Sequence, residues 1–253
     1  MVAKVKRMHL PLIGEGFAYV DSGTPYTVDT TPRFAPGTQM KIGNKTFVYA
    51  IAAGAIIPDI GAKQSLRQKI ANCAVQANYA AGVTTITITS ASTCTADELA
   101  GGEIVIFPAA GNLAFHRGIV SNTAMTATAT LTIVLDSPTP CAITVGASAE
   151  AIASPYSAVT QTSNEWTPVM GMPTVPATTG QGLWLQVTGM SWCAPAPEVG
   201  AAANCIDVTF GGDAALRTRR QLLPGEQRAG MILATATSGN TQGAPFIMLS
   251  IDH

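Results

Sequence analysis

Apolar and polar residues alternate with a period of two in several short segments of this chain. In 83–89, Ile86 and Ile88 fall on the opposite side from Thr85, Thr87 and Thr89. Similar alternation occurs in 126–135 and 183–188. A period of two places successive side chains on opposite faces of a β-strand. Turns rich in glycine and proline separate these segments, which favours a β-sandwich or barrel over βαβ units.

Other segments depart from this alternation. Residues 1–40 contain four prolines and four glycines, which leave no room for a helix and predict an extended amino-terminal arm. Lys63–Tyr79 has the composition of a helix. We therefore predict an all-β fold, an antiparallel β-sandwich or barrel, with this arm and at most one or two short helices. The proline-rich stretch Ser154–Pro176 is a candidate boundary. The expected organisation is an arm over 1–40, a β-rich domain over 41–160 and a second β-rich segment over 161–253, which can pack into the same domain.

Charged residues are scarce, at 11% of the chain against roughly 25% in an ordinary soluble domain. Threonine, serine, alanine and glycine take their place. Such a surface costs less to desolvate than one of lysine and glutamate, which suits a protein covered by neighbouring subunits. The alternative is an ordinary β-protein with a neutral exterior.

The remaining basic residues are unevenly placed. Between residues 70 and 216 the only one is Arg117, among nine acids. Basic residues near the two ends are the candidate interface, pairing with the acidic middle of a neighbouring copy or with another protein. They are Lys4, Lys6 and Arg7, and Arg217, Arg219 and Arg220, with Arg228 nearby. Direct nucleic-acid contact is disfavoured because these basic residues lack interleaved aromatic residues.

No catalytic pattern stands out. The histidines, His9, His116 and His253, share no helical face, and no Gly-x-Ser-x-Gly elbow occurs. A glycan hydrolase would need paired carboxylates, for which Asp97, Glu98 and Glu103 are the candidates. It would also need an exposed aromatic platform, for which the candidates are Trp166, Trp184 and Trp192. We expect no enzyme, no metal site and no cofactor.

The five cysteines have no C-x-x-C spacing, which argues against zinc. Buried free thiols are the favoured interpretation, and cross-links between subunits are the alternative. The cysteines are Cys73, Cys94, Cys141, Cys193 and Cys205. No apolar run reaches the length of a membrane span, and no apolar segment with a cleavage site follows the basic start. We therefore expect no membrane partner and no export by the usual route.

Four groups of segments resemble virion structural proteins of tailed bacteriophages, of the kind that decorate or cement the capsid. The first two are Gly43–Ala50, and Gly82–Thr89 with Thr95–Ile106. The others are Gly118–Thr123 with Leu131–Leu135, and Ser154–Ser157 with Gly182–Gly189. The resemblance covers roughly residues 40–190 and consists of strands and turns without a catalytic signature.

This resemblance implies a β-rich accessory protein present in many copies on the capsid surface and assembled in the host cytoplasm. Its expected partners are the major capsid protein and copies of itself. A trimer would suit the local three-fold positions of an icosahedral shell. A tail, connector or major capsid protein is the alternative within this class. From another class, the alternative is a glycan-binding or depolymerising module for host attachment.

Overall fold

The computed structural model is all-β. It describes residues 6–9, 18–20, 24–65, 70–108, 114–126, 129–161, 167–196, 199, 206–218, 226–233 and 246–251, the first two ranges through their backbone. Every regular element in these residues is a β-strand, and all the strand pairs between them are antiparallel. The predicted fold class is confirmed. No helix in the described part of the chain has the length and apolar character needed to cross a membrane.

The described residues form two compact units. The first contains those of 1–11, 16–65 and 158–253, and the second contains those of 66–157. The strands of the first unit are β1 (Lys6–His9), β2 (Ala18–Val20), β3 (Gln39–Ile42), β4 (Lys45–Ile51), β5 (Ala62–Gln64), β12 (Val159–Thr160), β13 (Val169–Pro173), β14 (Gly182–Trp192), β15 (Asp207–Phe210), β16 (Leu216–Thr218), β17 (Gln227–Ile232) and β18 (Phe246–Ser250). The strands of the second are β6 (Ile70–Val75), β7 (Thr85–Thr89), β8 (Glu103–Phe107), β9 (Phe115–Asn122), β10 (Thr130–Leu135) and β11 (Ser148–Ile152).

The first unit is one large sheet in the order β16-β15-β17-β18-β14-β4-β3-β1-β2. β13 also pairs with β14 and with β5, and β5 pairs with β12. Strand β14 is the longest at 11 residues, and it pairs with β4 through its first half and with β18 through its second. It therefore joins the two halves of the sheet.

The second unit is a closed barrel in the order β10-β7-β6-β11-β8-β9. Apolar side chains of the alternating segments fill the barrel. Ile86 and Ile88 on β7 and Leu131 and Ile133 on β10 are fully buried. Their polar neighbours face outward. A barrel of this size is filled by its own side chains and leaves no sheet edge unpaired.

An aromatic cluster fixes residues 24–38 to the first unit. The ring of Tyr49 lies 5.0 Å from those of Phe34 and Trp184, measured between centroids. The Tyr49 hydroxyl donates to Asp29 Oδ2 at 2.7 Å, and Arg33 Nε donates to Asp29 Oδ1 at 2.8 Å. This part of the predicted arm is not extended: it forms turns and bends with one bridge, between Asp29 and Gly182, and it packs on the sheet of its own chain.

The predicted helix over Lys63–Tyr79 is wrong. Residues 62–64 form β5, residues 70–75 form β6, and Tyr79 bridges to Ile143. The helical composition comes mainly from residues 64–70, of which 66–69 lie outside the described residues. Strand β6 also contains a bulge, since Ile70 and Cys73 are opposed by Ala151 and Ala149. The extra residue in β6 spaces two core side chains three positions apart, which imitates a helical face.

The division of the chain also differs from the expected one. Strand β3 crosses the expected boundary at residue 40, and β4 pairs with β14. Residues 24–65 therefore belong with 158–251. The chain returns to the first unit at Ala158, close to the boundary expected at 160.

Candidate functional site

The outward side of three neighbouring strands in the first unit carries large apolar side chains. Met190 on β14 pairs with Met248 on β18, which pairs in turn with Met231 on β17. Directly opposed residues of antiparallel strands lie on the same face of a sheet, so the three methionines form one cross-strand row. Met190 is 47% exposed and Met231 is 43% exposed.

A second apolar row lies beside the first. Trp192 pairs with Phe246, and the N–H of Leu233 donates to the carbonyl of Phe246 at 2.9 Å. Phe246 is 52% exposed, whereas Trp192 and Leu233 are half-buried. We call these two rows the methionine face. It comprises Met190, Trp192, Met231, Leu233, Phe246 and Met248.

Strand β18 shows why this face is unusual. Ile247 and Leu249 point to the opposite side of the sheet and are buried in the core. An antiparallel sheet normally has one apolar face and one polar, solvated face. Here β18 presents apolar residues on both sides, as strands do when both faces are covered. Contiguous apolar patches on a protein surface mark sites of protein interaction.

Charged side chains border the methionine face beyond β17. Asp207 on β15 opposes Met231, and Arg228 Nη2 donates to Asp207 Oδ1 at 3.2 Å. Thr209, two residues after Asp207, is opposed by Arg228 on one side and by Arg217 on the other. An apolar centre with a charged border is the usual anatomy of a protein–protein interface.

The sequence-predicted interface residues are only partly described. Arg217 lies on β16 within this border, and its Nη2 donates to Asp213 Oδ2 at 3.1 Å. Lys6 and Arg7 lie on β1, which pairs with β2 and β3. Lys4, Arg219 and Arg220 lie outside the described residues. The structure thus places one of the six beside the methionine face.

The outer surface of the barrel carries a second neutral face. Thr87 and Thr89 on β7 are opposed by Thr132 and Thr130 on β10. The Thr87 hydroxyl lies 2.6 Å from the Tyr79 hydroxyl. We call Thr85, Thr87, Thr89, Thr130 and Thr132 the threonine face. It contains no charged residue, so a partner would desolvate it at a lower cost than a lysine-rich surface.

Two of the carboxylates considered for glycan chemistry have structural partners. Glu98 Oε2 accepts from the Thr95 N–H at 2.8 Å, and Asp97 Oδ1 accepts from the Asn122 N–H at 3.4 Å. Trp184 is 1% exposed in the aromatic cluster, so it offers no platform for a sugar. Trp166 lies outside the described residues.

The described residues contain no catalytic or metal site built around a histidine. His116 lies exposed on β9, opposite Val105. His9 is described through its backbone, and His253 is outside the described residues. Within the described ranges, no group of three or more His, Cys, Asp or Glu is placed to hold a metal ion.

The described cysteines are free thiols. Cys73, Cys94 and Cys193 are buried and Cys141 is half-buried. Burial raises the pKa of Cys73 to about 11 and that of Cys193 to about 12, because the low-polarity interior disfavours the thiolate. These two thiols are therefore poor nucleophiles at neutral pH. Cys205 lies outside the described residues.

Lys63 is a buried charged residue that the sequence alone does not mark. It is 2% exposed, and its ammonium donates to the carbonyl of Gly212. A buried lysine carries a large desolvation cost unless it is well partnered. Its position ties β5 to the loop between β15 and β16, which is a structural role.

Comparison with known proteins identifies no relative. No protein family matches this chain, and no curated protein or solved structure matches it significantly. The resemblance to tailed-phage virion proteins therefore stays a prediction, and function has to be inferred from the surfaces described above.

Proposed function

We propose that this chain is a structural component of a bacteriophage particle, a capsid decoration protein that binds across major capsid subunits and stabilises the shell. The observation that carries the proposal is the methionine face, an apolar sheet surface that is exposed in the single chain. Burying such side chains against other subunits is favourable by roughly 25 cal/mol per Å² of apolar area.

The low charge of the whole chain supports the same proposal. Two faces, the methionine face and the threonine face, present few groups that are costly to desolvate. A protein with two such surfaces can contact more than one neighbour at a time. Many modest contacts repeated over a shell stabilise it strongly, because each bound copy raises the effective concentration of the next contact.

The mechanism is mechanical. A decoration protein that spans a joint between capsid subunits must be detached before the joint can open. Internal pressure then works against these added contacts as well as against the shell's own. The basic start of the chain, with Lys4, Lys6 and Arg7, is proposed to dock on the acidic surface of a capsid subunit.

Tail, connector and major capsid roles remain the alternatives within the same class. They differ from decoration in copy number, since a shell protein is present in hundreds of copies and a tail protein in a handful. The glycan-binding alternative is less favoured, because Trp184 is buried and the carboxylates of Asp97 and Glu98 accept hydrogen bonds from the backbone N–H groups of Asn122 and Thr95.

Quantitative mass spectrometry of purified particles from the virus that encodes this chain tests the proposal. We expect the chain in hundreds of copies per particle, and stripped shells should regain it from the purified recombinant protein. Absence from the particle would contradict the proposed function. A copy number of a handful would replace decoration by a tail role.

A variant with Lys4, Lys6 and Arg7 each changed to Gln tests the docking of the amino terminus. It should remain folded but bind stripped shells more weakly and with a smaller salt dependence. Substitution is preferable to deleting the whole arm, because Asp29 and Phe34 belong to the aromatic cluster. Unchanged binding would exclude these residues from the contact.

A further inference from the structure

The methionine face fits a second copy of this chain. We propose that two copies pack these faces against each other about a two-fold axis, so that the building block of the assembly is a dimer. The inference goes beyond the proposed function and does not depend on it, because the dimer can form in solution without a shell.

The first argument is the charge of the border. Asp207 and Arg228 stand side by side at 3.2 Å, and Arg217 and Asp213 stand side by side at 3.1 Å. The described part of the border therefore carries both signs of charge, with two arginine–aspartate pairs and Glu226, whose Oε2 accepts from the Thr209 hydroxyl at 3.0 Å. A border with both signs is complementary to itself, because a two-fold axis can bring Arg228 of one copy to Asp207 of the other.

A partner of one sign would fit less well. An acidic surface would be attracted to the arginines but repelled by their aspartates, and nucleic acid meets the same opposition. Both arginine–aspartate pairs are exposed, with side-chain exposures from 34% to 53%. Exposed pairs contribute at most about 1 kcal/mol to folding, so their members can re-pair across an interface at little cost.

The second argument is the shape of the apolar rows. The rows run across three neighbouring strands, so the face is a piece of regular sheet. Two such faces can pack as the layers of a β-sandwich, roughly 10 Å apart, with side chains of one row between those of the other. Methionine side chains are flexible and adapt readily to such packing.

The mass of the wild-type chain in solution is the first test, by light scattering after size exclusion and by analytical ultracentrifugation. We expect twice the chain mass of 26.0 kDa. The double variant Met190→Lys with Met231→Lys should have the mass of a single chain and the same circular dichroism. Val145→Lys is the matched control, since Val145 is 57% exposed in the second unit. It should leave the dimer intact.

A charge-exchange experiment tests the two-fold arrangement. Asp207→Arg gives a border with excess positive charge, and Arg228→Asp gives one with excess negative charge. Each variant alone should dimerise at least about tenfold more weakly than the wild type. An equimolar mixture should recover the affinity as a heterodimer, which native mass spectrometry resolves. A defect confined to folding within one chain would not be rescued by mixing.

The outcomes separate this inference from the proposed function. A wild-type monomer or trimer, or a Met190→Lys, Met231→Lys variant that still dimerises, would overturn the inference even if the chain is abundant in virus particles. A dimer that dissociates as described but is absent from the particles would support the inference and contradict the proposed function.

Discussion

At Gly182, the first residue of β14, the chain passes so close to Tyr49 that a side chain has no room. A Cβ at this position would overlap the Tyr49 hydroxyl. That hydroxyl donates to Asp29 at 2.7 Å and accepts from the Arg33 N–H at 3.1 Å, so it cannot move without breaking both bonds. Gly182→Ala should therefore lower the free energy of unfolding by about 1–3 kcal/mol.

Urea unfolding of the Gly182→Ala variant, followed by tryptophan fluorescence, measures this effect. Gly54→Ala is a suitable control, because a Cβ there meets only the Thr160 hydroxyl at an ordinary 3.5 Å. Its midpoint should stay close to that of the wild type. Equal midpoints for the two variants would show that the Tyr49 contact does not constrain residue 182.

The buried thiol of Cys73 makes the free energy of unfolding depend on pH in the alkaline range. Its pKa is raised from 9.0 to about 11 by burial in the barrel. Between these values the unfolded chain loses this proton while the folded chain keeps it, so stability falls as the pH rises. The loss is about 1.4 kcal/mol per pH unit for one such group. Burial also raises the pKa values of Cys193, Tyr49 and Tyr156, which adds to the loss.

Urea midpoints measured from pH 7.5 upwards should be constant at first and then decline above about pH 9. Cys73→Ala removes one of the contributing groups, and its midpoint should decline less steeply between pH 9 and 11. The comparison uses slopes, because the missing sulfur also lowers stability at every pH. Parallel declines in the two proteins would refute the assignment to Cys73.

At the scale of elements, strands were predictable where the period of two was unbroken. The alternation in 83–89 and 126–135 corresponds to β7 and β10, and that in 183–188 lies within β14. Strand β6 was missed because its bulge breaks the period, and a bulge depends on the partner strand. The partner is β11, which lies more than seventy residues away in the sequence.

The candidate site was less predictable than the strands. Met190, Met231 and Met248 belong to separate stretches of the sequence and become neighbours only through the register of three strands. A single strand shows which residues alternate, but it does not show which of its faces the core will cover. Arg217 was predicted as an interface residue, and the structure places it at the border of this face.

At the scale of the whole molecule, the second unit is an insertion within the first. The N–H of Ser65 donates to the carbonyl of Ala158 at 2.9 Å, so the chain leaves and re-enters the first unit at neighbouring points. All the buried apolar residues of the barrel core lie between Ile70 and Ala151. A segment with its own core and adjacent ends is expected to fold by itself.

We therefore expect residues 66–157, expressed alone, to form a cooperatively folded β-protein, and a chain with a short Gly/Ser linker in their place to keep the first unit. All three tryptophans lie outside residues 66–157, so tryptophan fluorescence reports on the first unit alone. In the shortened chain, the emission of buried Trp184 should remain blue-shifted, with an unfolding midpoint near that of the full chain. Far-UV circular dichroism monitors the isolated barrel, which should unfold in a single transition. The two units would have to fold together if the isolated barrel showed no cooperative transition and the tryptophan emission of the shortened chain were red-shifted.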